Sequence, residues 1–318
     1  MPDDTMPATT APVWFDSPRQ MSLGMMLPIR EGSMGGETPR FDDLVTMAMA
    51  ARDVGFEVLW FADHFTMGTE DEMAGVWEAW TMMAAVAARV PDVQIGPLVT
   101  CTGFRNPGVI AKMAESMEEI SGGRFILGMG AGWNELEYRQ FGFPFDYRAS
   151  RFEDAVQIVH PLLREGRADY QGRFFQSNNA VNRPRGPRAS GPPILIGSNG
   201  KRLLKTVARY ADAWNSDWEA DPEKMETLIA SVDAACEAVG RDPKTLVKTG
   251  SARFQMDDED ASRTDAVAGT VEQMAERLVT FQRLGLRHFV CGLEPRTVSQ
   301  VEAFGDVIAA FDASRQDG

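Results

Sequence analysis

Short apolar runs alternate with amphipathic stretches along most of the chain. The hydrophobic period switches back and forth between the two of a strand and the roughly 3.6 of a helix. Met21 to Leu27 reads as a first strand; Phe41 to Val54 follows with Leu44, Val45, Ala48 and Met49 at helical spacing and stops at Gly55. The alternation repeats, with strands predicted over 57–61, 93–99, 124–129, 193–196, 213–215, 247–254 and 288–291. Helices are predicted over 77–89, 107–120, 151–164, 201–210, 222–239, 271–284 and 298–311, with Pro107 at the favoured first position of its helix. Repeated strand–helix units imply a parallel sheet. Eight of them favour closure into a single (β/α)8 TIM barrel of the α/β class over residues 21–318, behind a flexible Pro- and Thr-rich lead-in over 1–20. An open dinucleotide-binding sheet fits less well, because its first-turn GxGxxG with a following acidic residue is missing.

Two insertions break the regularity. Residues 166–192 read as a small hairpin or lid followed by the loop Arg183-Pro-Arg-Gly-Pro-Arg188, and residues 256–269 as a loop carrying Asp257-Asp-Glu-Asp260. Both are expected at the C-terminal face of the barrel, lining the substrate pocket.

Composition narrows the partners. With 44% hydrophobic and 25% charged residues the chain is ordinary globular material, but 46 acidic against 32 basic residues leave a net charge of −14. A field of that sign repels polyanions, so nucleic acid and anionic membranes are excluded as expected partners, while one small anionic ligand is not. Three cysteines without a CxxC pair give neither a disulfide framework nor a thiolate metal cluster, and a cytoplasmic location is expected. Asp3 and Asp4 speak against a signal peptide, and no stretch approaches the ~18 apolar residues of a membrane span. The three histidines are far apart, no HExxH or GxSxG occurs, and no metal site is expected.

Active sites of such barrels lie past the C-terminal strand ends. Asp63-His64 follows the second strand, either as an ionisable pair that moves a proton or bonds a ring cofactor, or as a helix-capping Asp with a loop His. Thr100 ends the third strand, with Arg105 beyond it as an anion holder or a surface cation. Gly128-Met-Gly-Ala-Gly-Trp-Asn134 ends the fourth, a turn open to a flat ligand or simply a tight connection. Gly197-Ser-Asn-Gly200 after the fifth runs straight into a helix, whose free N–H groups and dipole suit a phosphate, with Lys201 and Arg202 beside it.

These segments, with Gly55–Phe65, Arg105-Asn-Pro107, Ser121–Glu135, Pro193–Gly197 and Ala208–Asn215 in this order, resemble the luciferase-like monooxygenase superfamily, in particular its coenzyme F420-dependent oxidoreductase branch. The resemblance covers about residues 21 to 313 and implies a flavin or deazaflavin ring in the barrel mouth, a small-molecule substrate and a homodimer. It implies that Asp63 and His64 flank the ring; from their placement after the second strand both are expected to be catalytic, His64 as proton donor or acceptor with Asp63 tuning it. Asp63, Pro97, Leu98, Thr100, Gly130, Ala131, Gly132, Asn134, Gly197, Ser198, Asn199 and Trp214 are implied as the cofactor's surroundings. It also implies a non-prolyl cis peptide near Pro97-Leu98, and offers Arg105, Arg183, Arg185 and Arg188 to the acidic tail of F420. An aspartate before the histidine resembles F420 users more than FMN monooxygenases. The remaining alternatives are an FMN monooxygenase using oxygen, a barrel that only binds a ligand, and a cofactor-free phosphosugar enzyme.

Overall fold

The computed structural model describes residues 14–256 and 266–314. The chain begins with β1 (Ser22–Met26), α1 (Phe41–Val54), β2 (Val58–Phe61), a hairpin of β3 (Thr66–Gly68) and β4 (Met73–Gly75), α2 (Ala79–Arg89), β5 (Gln94–Pro97) and β6 (Thr100–Cys101). It continues through α3 (Pro107–Ser121), β7 (Leu127–Gly130), α4 (Glu135–Phe141), α5 (Arg148–Arg164) and the hairpin β8 (Arg167–Gln171) with β9 (Gln176–Val181). Then follow β10 (Ile194–Gly197), α6 (Lys201–Tyr210), β11 (Ala213–Trp218), α7 (Pro222–Ala238), β12 (Val247–Gln255), β13 (Ala266–Ala268), α8 (Val271–Arg283), β14 (His288–Glu294) and α9 (Val298–Ala313).

The predicted barrel is present. Its strands pair in parallel in the order β5-β2-β1-β14-β12-β11-β10-β7-β6. β5 and β6 are two halves of one barrel position, split by a non-prolyl cis peptide between Leu98 and Val99, one bond beyond the expected place. Ile95 closes the ring, its N–H donating to Arg124 O at 3.0 Å and its carbonyl accepting from Ile126 N at 2.9 Å.

Strands buried on both faces read as unbroken apolar runs. Alternate side chains nonetheless enter different layers. Val58, Trp60, Ile126, Leu195, Ala213 and Val290 fill the barrel interior, whereas Leu59, Phe61, Leu127, Ile196, Trp214 and Phe289 join the large core between barrel and helices. Helix ends follow local chemistry: Asn106 caps α3 by accepting from Gly108 N at 2.9 Å, and α1 stops where Gly55 adopts φ +106°.

The structure extends the sequence reading in four places. The β3–β4 hairpin and the short α4 lie in stretches with no predicted element, and β13 pairs with β12 inside the stretch read as an acidic loop. Residues 257–265 of that loop, with the acidic run, lie outside the described residues. Of the lead-in, residues 14–20 lie against the barrel floor: Trp14 and Phe15 pack on the interior cluster. Arg19 bonds Gly55 O at 2.6 Å and pairs with Glu57 and Asp312 at 2.9 and 2.8 Å.

His288 forms that floor, fully buried, its Nε2 accepting from Trp60 Nε1 at 2.9 Å and its Nδ1 2.8 Å from Ser22 Oγ. Burial pushes it down to about 3, and burial beside Arg164 pushes His160 of α5 down to about 4, both from 6.5. The unfolded chain therefore takes up these protons first. The stability carried by both neutral rings is complete above about pH 6.5 and falls as pH drops, by ~1.4 kcal/mol per pH unit for each ring. Urea unfolding between pH 6.5 and 5 should show this slope, and His160→Asn should roughly halve it; an unchanged slope in the variant would count against the assignment.

Among the described residues no helix is long and apolar enough to cross a membrane.

Candidate active site

Every barrel position contributes its C-terminal strand end to one cavity of about 1020 Å³. That is at the upper end for small-molecule sites. The 166–192 insertion does not line it. The walls come instead from the segment after β1, the loop before the β3–β4 hairpin, α4 and the residues after β14.

His64 faces this cavity with its ring edge-on to exposed Trp133, centroids 5.6 Å apart. Its Nδ1 lies 2.9 Å from Glu137 Oε2, and Glu137 is 1% exposed. The other oxygen of Glu137 accepts from Phe65 N and, at 3.2 Å, from Thr66 N. A buried carboxylate so fixed accepts a hydrogen bond from Nδ1–H and leaves Nε2 as the working nitrogen. Glu137 was missed in the sequence because its helix is only seven residues long. The available signal was the run Asn134-Glu135-Leu136-Glu137 directly after the glycine turn.

Asp63 does not tune His64, which corrects the sequence expectation. Arg105 grips both Asp63 oxygens, at 2.6 and 3.0 Å, and Cys101 N donates to one of them at 2.9 Å. Arg105 also pairs with Glu78 at 2.7 Å, so it is no anion holder. Burial pushes the Asp63 carboxyl up, against the pull of Arg105 and the Cys101 N–H. The group ties the end of β2 to the β6 segment.

Close packing accounts for two glycines of the turn. A Cβ on Gly130 would stand 2.6 Å from Val99 Cγ2, and one on Gly132, at φ +76°, 2.6 Å from Cys101 Sγ. These glycines admit the neighbouring strand and, with Ala131, line the cavity. The result is an apolar patch of Leu98 and Val99 on the cavity floor. Tyr138 of α4 locks the turn: its hydroxyl donates to Ala131 O at 2.9 Å, and Cys101 Sγ lies 3.0 Å away. Burial pushes the Cys101 thiol up to about 12, so it stays protonated and inert.

Gly197, Ser198 and Asn199 line the cavity as expected and lead into α6. Gly200 provides no side-chain cap, so the first N–H groups of this ten-residue helix have no acceptor within it. Trp214 Nε1 steadies the turn by donating to Ser198 O at 2.7 Å. Arg202 belongs to Glu153 and Ser150 rather than to an anion. The helix start alone makes the anion end. Uncapped donors at one end, an apolar floor and a fixed imidazole fit a ring with a phosphate arm.

Four of the expected cofactor neighbours fall elsewhere. Trp214 and Thr100 have the outward strand phase, Thr100 with its hydroxyl unpartnered, and Pro97 is likewise outside the cavity lining. Asn134 turns away to Thr66 O at 3.5 Å. The arginines offered to an acidic tail are also displaced. Arg185 pairs with Glu115, and Arg188 with Glu118 and Phe125 O, where the loop enters β10 at the N-terminal end of the barrel. Arg183 lies in the same loop, its carbonyl accepting from Lys112 Nζ at 2.5 Å.

Comparison with known proteins agrees with this architecture. The chain is 28% identical over 244 residues to the F420-dependent hydroxymycolic acid dehydrogenase of Mycobacterium tuberculosis, covering 74% of this chain and 66% of that protein. It is 26% identical over 246 residues to the 5,10-methylenetetrahydromethanopterin reductase of Archaeoglobus fulgidus, covering 75% and 70%. A phthiodiolone/phenolphthiodiolone dimycocerosates ketoreductase of Mycobacterium sp. (strain JLS) is 32% identical over 194 residues, 58% of this chain and 51% of that one. The chain thus spans about half to two thirds of the length of the first curated relatives it matches. Among solved structures, an F420-dependent secondary alcohol dehydrogenase in complex with an F420-acetone adduct superposes with a TM-score of 0.78 at 20% identity, covering 92% and 99% of the two chains. The EDTA monooxygenase from Chelativorans sp. BNC1 gives 0.78 at 17% identity, covering 93% and 94%. At such identities the likeness is one of fold. The family model for luciferase-like monooxygenases matches residues 21–266, and the chain belongs to that family.

Proposed function

We propose that the protein is an oxidoreductase that holds coenzyme F420 in the barrel mouth and moves a hydride between it and a small organic substrate. The observation that carries this reading is the shared cavity: a carboxylate-fixed imidazole faces the same space as an uncapped helix start. The hydroxymycolic acid dehydrogenase named above is F420-dependent by description, which supports F420 over FMN. The N–H groups of the Ser198–Arg202 turn would hold the phosphate, and Leu98 and Val99 would lie under the ring. The ring, when bound, supplies the centre that accepts or donates hydride.

The chain's own residues supply the proton and the enclosure. His64 Nε2 takes the hydroxyl proton when a substrate alcohol is oxidised and returns it to the carbonyl oxygen in the reverse direction. Glu137 holds the imidazole in the tautomer this needs and offsets its charge when protonated. Trp133 covers the imidazole from the solvent side.

Titration of purified protein with F420 and, separately, FMN, followed by absorbance and fluorescence, tests the reading. F420 should saturate one site per chain and lose its visible absorbance on reduction by an alcohol under anaerobic conditions. Binding of FMN with oxygen uptake would favour a monooxygenase, binding without turnover a ligand-binding barrel, and indifference to both rings would end the proposal. We also propose a homodimer, for which light scattering should read twice the chain mass.

A further inference from the structure

The lining of the cavity is not uniform. Leu27 and Ile29 after β1, Met67 of β3, Val76 directly after β4, Phe104 after β6 and Trp133 after β7 are apolar, and they come from the elements next to His64. Asn215, Ser216 and Asp217 of β11 and Ser251 of β12 supply polar lining from other strands. β1 stands four positions from β10 around the barrel, so the apolar wall begins opposite the uncapped start of α6.

Backbone pairing builds this wall. Trp77 N donates to Ile29 O, Glu31 N to Gly75 O and Val76 N to Phe65 O, each at 2.9 Å, and Arg30 is bridged to Val76. The segment after β1 and the β3–β4 hairpin are thus joined beside His64. Met67 is opposite Ala74 in the hairpin, and Val76 is two residues further on, so strand alternation puts Met67 and Val76 on one face. Both are only half-buried.

The acids of this region are satisfied within the protein. Arg105 holds Asp63, His64 and the N–H of Thr66 hold Glu137, and Glu31 Oε2 accepts from Gly75 N at 2.5 Å. Arg30 is exposed, and its charge acts on Arg296 after β14. What the wall offers a ligand is apolar surface. Trp133, 65% exposed, is the most exposed large apolar side chain among the described residues. Covering such surface in a concave site is favourable, and each methylene laid on it strengthens binding by roughly 3–4-fold.

We propose that the wall of Leu27, Ile29, Met67, Val76 and Trp133 is a hydrocarbon subsite, so that the substrate is a ketone or secondary alcohol carrying an unbranched apolar arm. The identity of the reacting group rests on the function proposed above; the binding of an apolar arm at this wall does not. With the cofactor's arm at α6, the substrate oxygen meets His64 Nε2 and the hydrocarbon arm lies along the hairpin towards Trp133.

The experiment measures the affinity of the wild-type protein for 2-butanone, 2-pentanone, 2-hexanone and 2-heptanone, and for 6-oxoheptanoate as a charged counterpart of the longest. Calorimetry is run with and without bound F420, and tryptophan emission is followed on the ring-free protein. Each added methylene should lower Kd by roughly 3–4-fold, and 6-oxoheptanoate should bind no better than 2-butanone. Binding should shift the emission to the blue, and Trp133→Phe should remove the shift. Met67→Gln and Val76→Thr put polar groups of similar size on the half-buried face, and each should flatten the dependence on chain length; two separate sites guard against a folding defect at either. A Kd independent of chain length in the wild type, a dependence that survives both substitutions, or an emission shift that persists in Trp133→Phe overturns the proposal. If neither F420 nor FMN binds but the dependence stands, the functional reading fails and the subsite remains. If F420 turns over alcohols of every length equally, the function stands and the subsite falls.

Discussion

His64→Ala is expected to lower kcat/KM by about 10²–10⁴-fold, the usual weight of a positioned general acid–base group. Cofactor affinity should change little, because the α6 turn and the apolar floor are untouched. Glu137→Gln is the sharper companion. It keeps the shape and the capacity to accept from the backbone N–H groups of Phe65 and Thr66, but replaces the carboxylate facing Nδ1 with an amide. An amide that offers its NH2 to Nδ1 would drive the ring into the opposite tautomer, with Nε2 protonated at rest. Steady-state kinetics of both variants should place the loss mainly in kcat, with Glu137→Gln intermediate. Turnover within a few-fold of wild type for His64→Ala would remove the imidazole from the mechanism, whatever the ring.

Arg105→Ala should destabilise the fold by about 3–5 kcal/mol, because it leaves Asp63 buried without its partner. Asp63 is 2% exposed and keeps one backbone donor, Cys101 N. Burial already raises this carboxyl, and without Arg105 nothing of comparable strength opposes that. The folded variant then holds the Asp63 proton more tightly than the unfolded chain does. Its stability deficit should be smallest at low pH and should grow as pH rises through the folded value. Guanidinium unfolding at pH 5 and pH 8 checks this sign. The double variant Asp63→Asn, Arg105→Gln should recover part of the loss. A single variant as stable as wild type at pH 8 would mean that the pair is not buried as described.

The barrel was legible because its evidence is repeated and local: alternating periods, Pro107 at a helix start, Gly55 at a helix end. The placement of His64 and of the Gly197–Asn199 turn followed from the rule that strand ends make the site. What failed was strand phase. Trp214 points into the helix layer, and Thr100 is in register with Met129 of that layer, while their neighbours Cys101 and Asn215 line the cavity. A continuous apolar strand gives no alternation from which to read that phase. The partners of charged groups were equally hidden. Asp63 and His64 are adjacent in sequence, but each is claimed by a residue from another element, 42 and 73 positions away. Pairings of that range are fixed by tertiary packing, which no local pattern encodes. The basic 183–188 run was misplaced for a related reason: its loop feeds β10 from below, so its arginines meet the ends of α3 and not the barrel mouth.

The most direct test of the geometry is the affinity of the protein for FMN against riboflavin, and for F420 against its phosphate-free deazaflavin, before and after Ser198→Asp. If the α6 start grips a phosphate arm, the phosphorylated member of the accepted pair binds at least ~10-fold more tightly, and the added carboxylate abolishes that advantage while leaving the phosphate-free ring unaffected. Equal affinity for both members in the wild-type protein, or an advantage indifferent to Ser198→Asp, would contradict a cofactor bound across this barrel mouth.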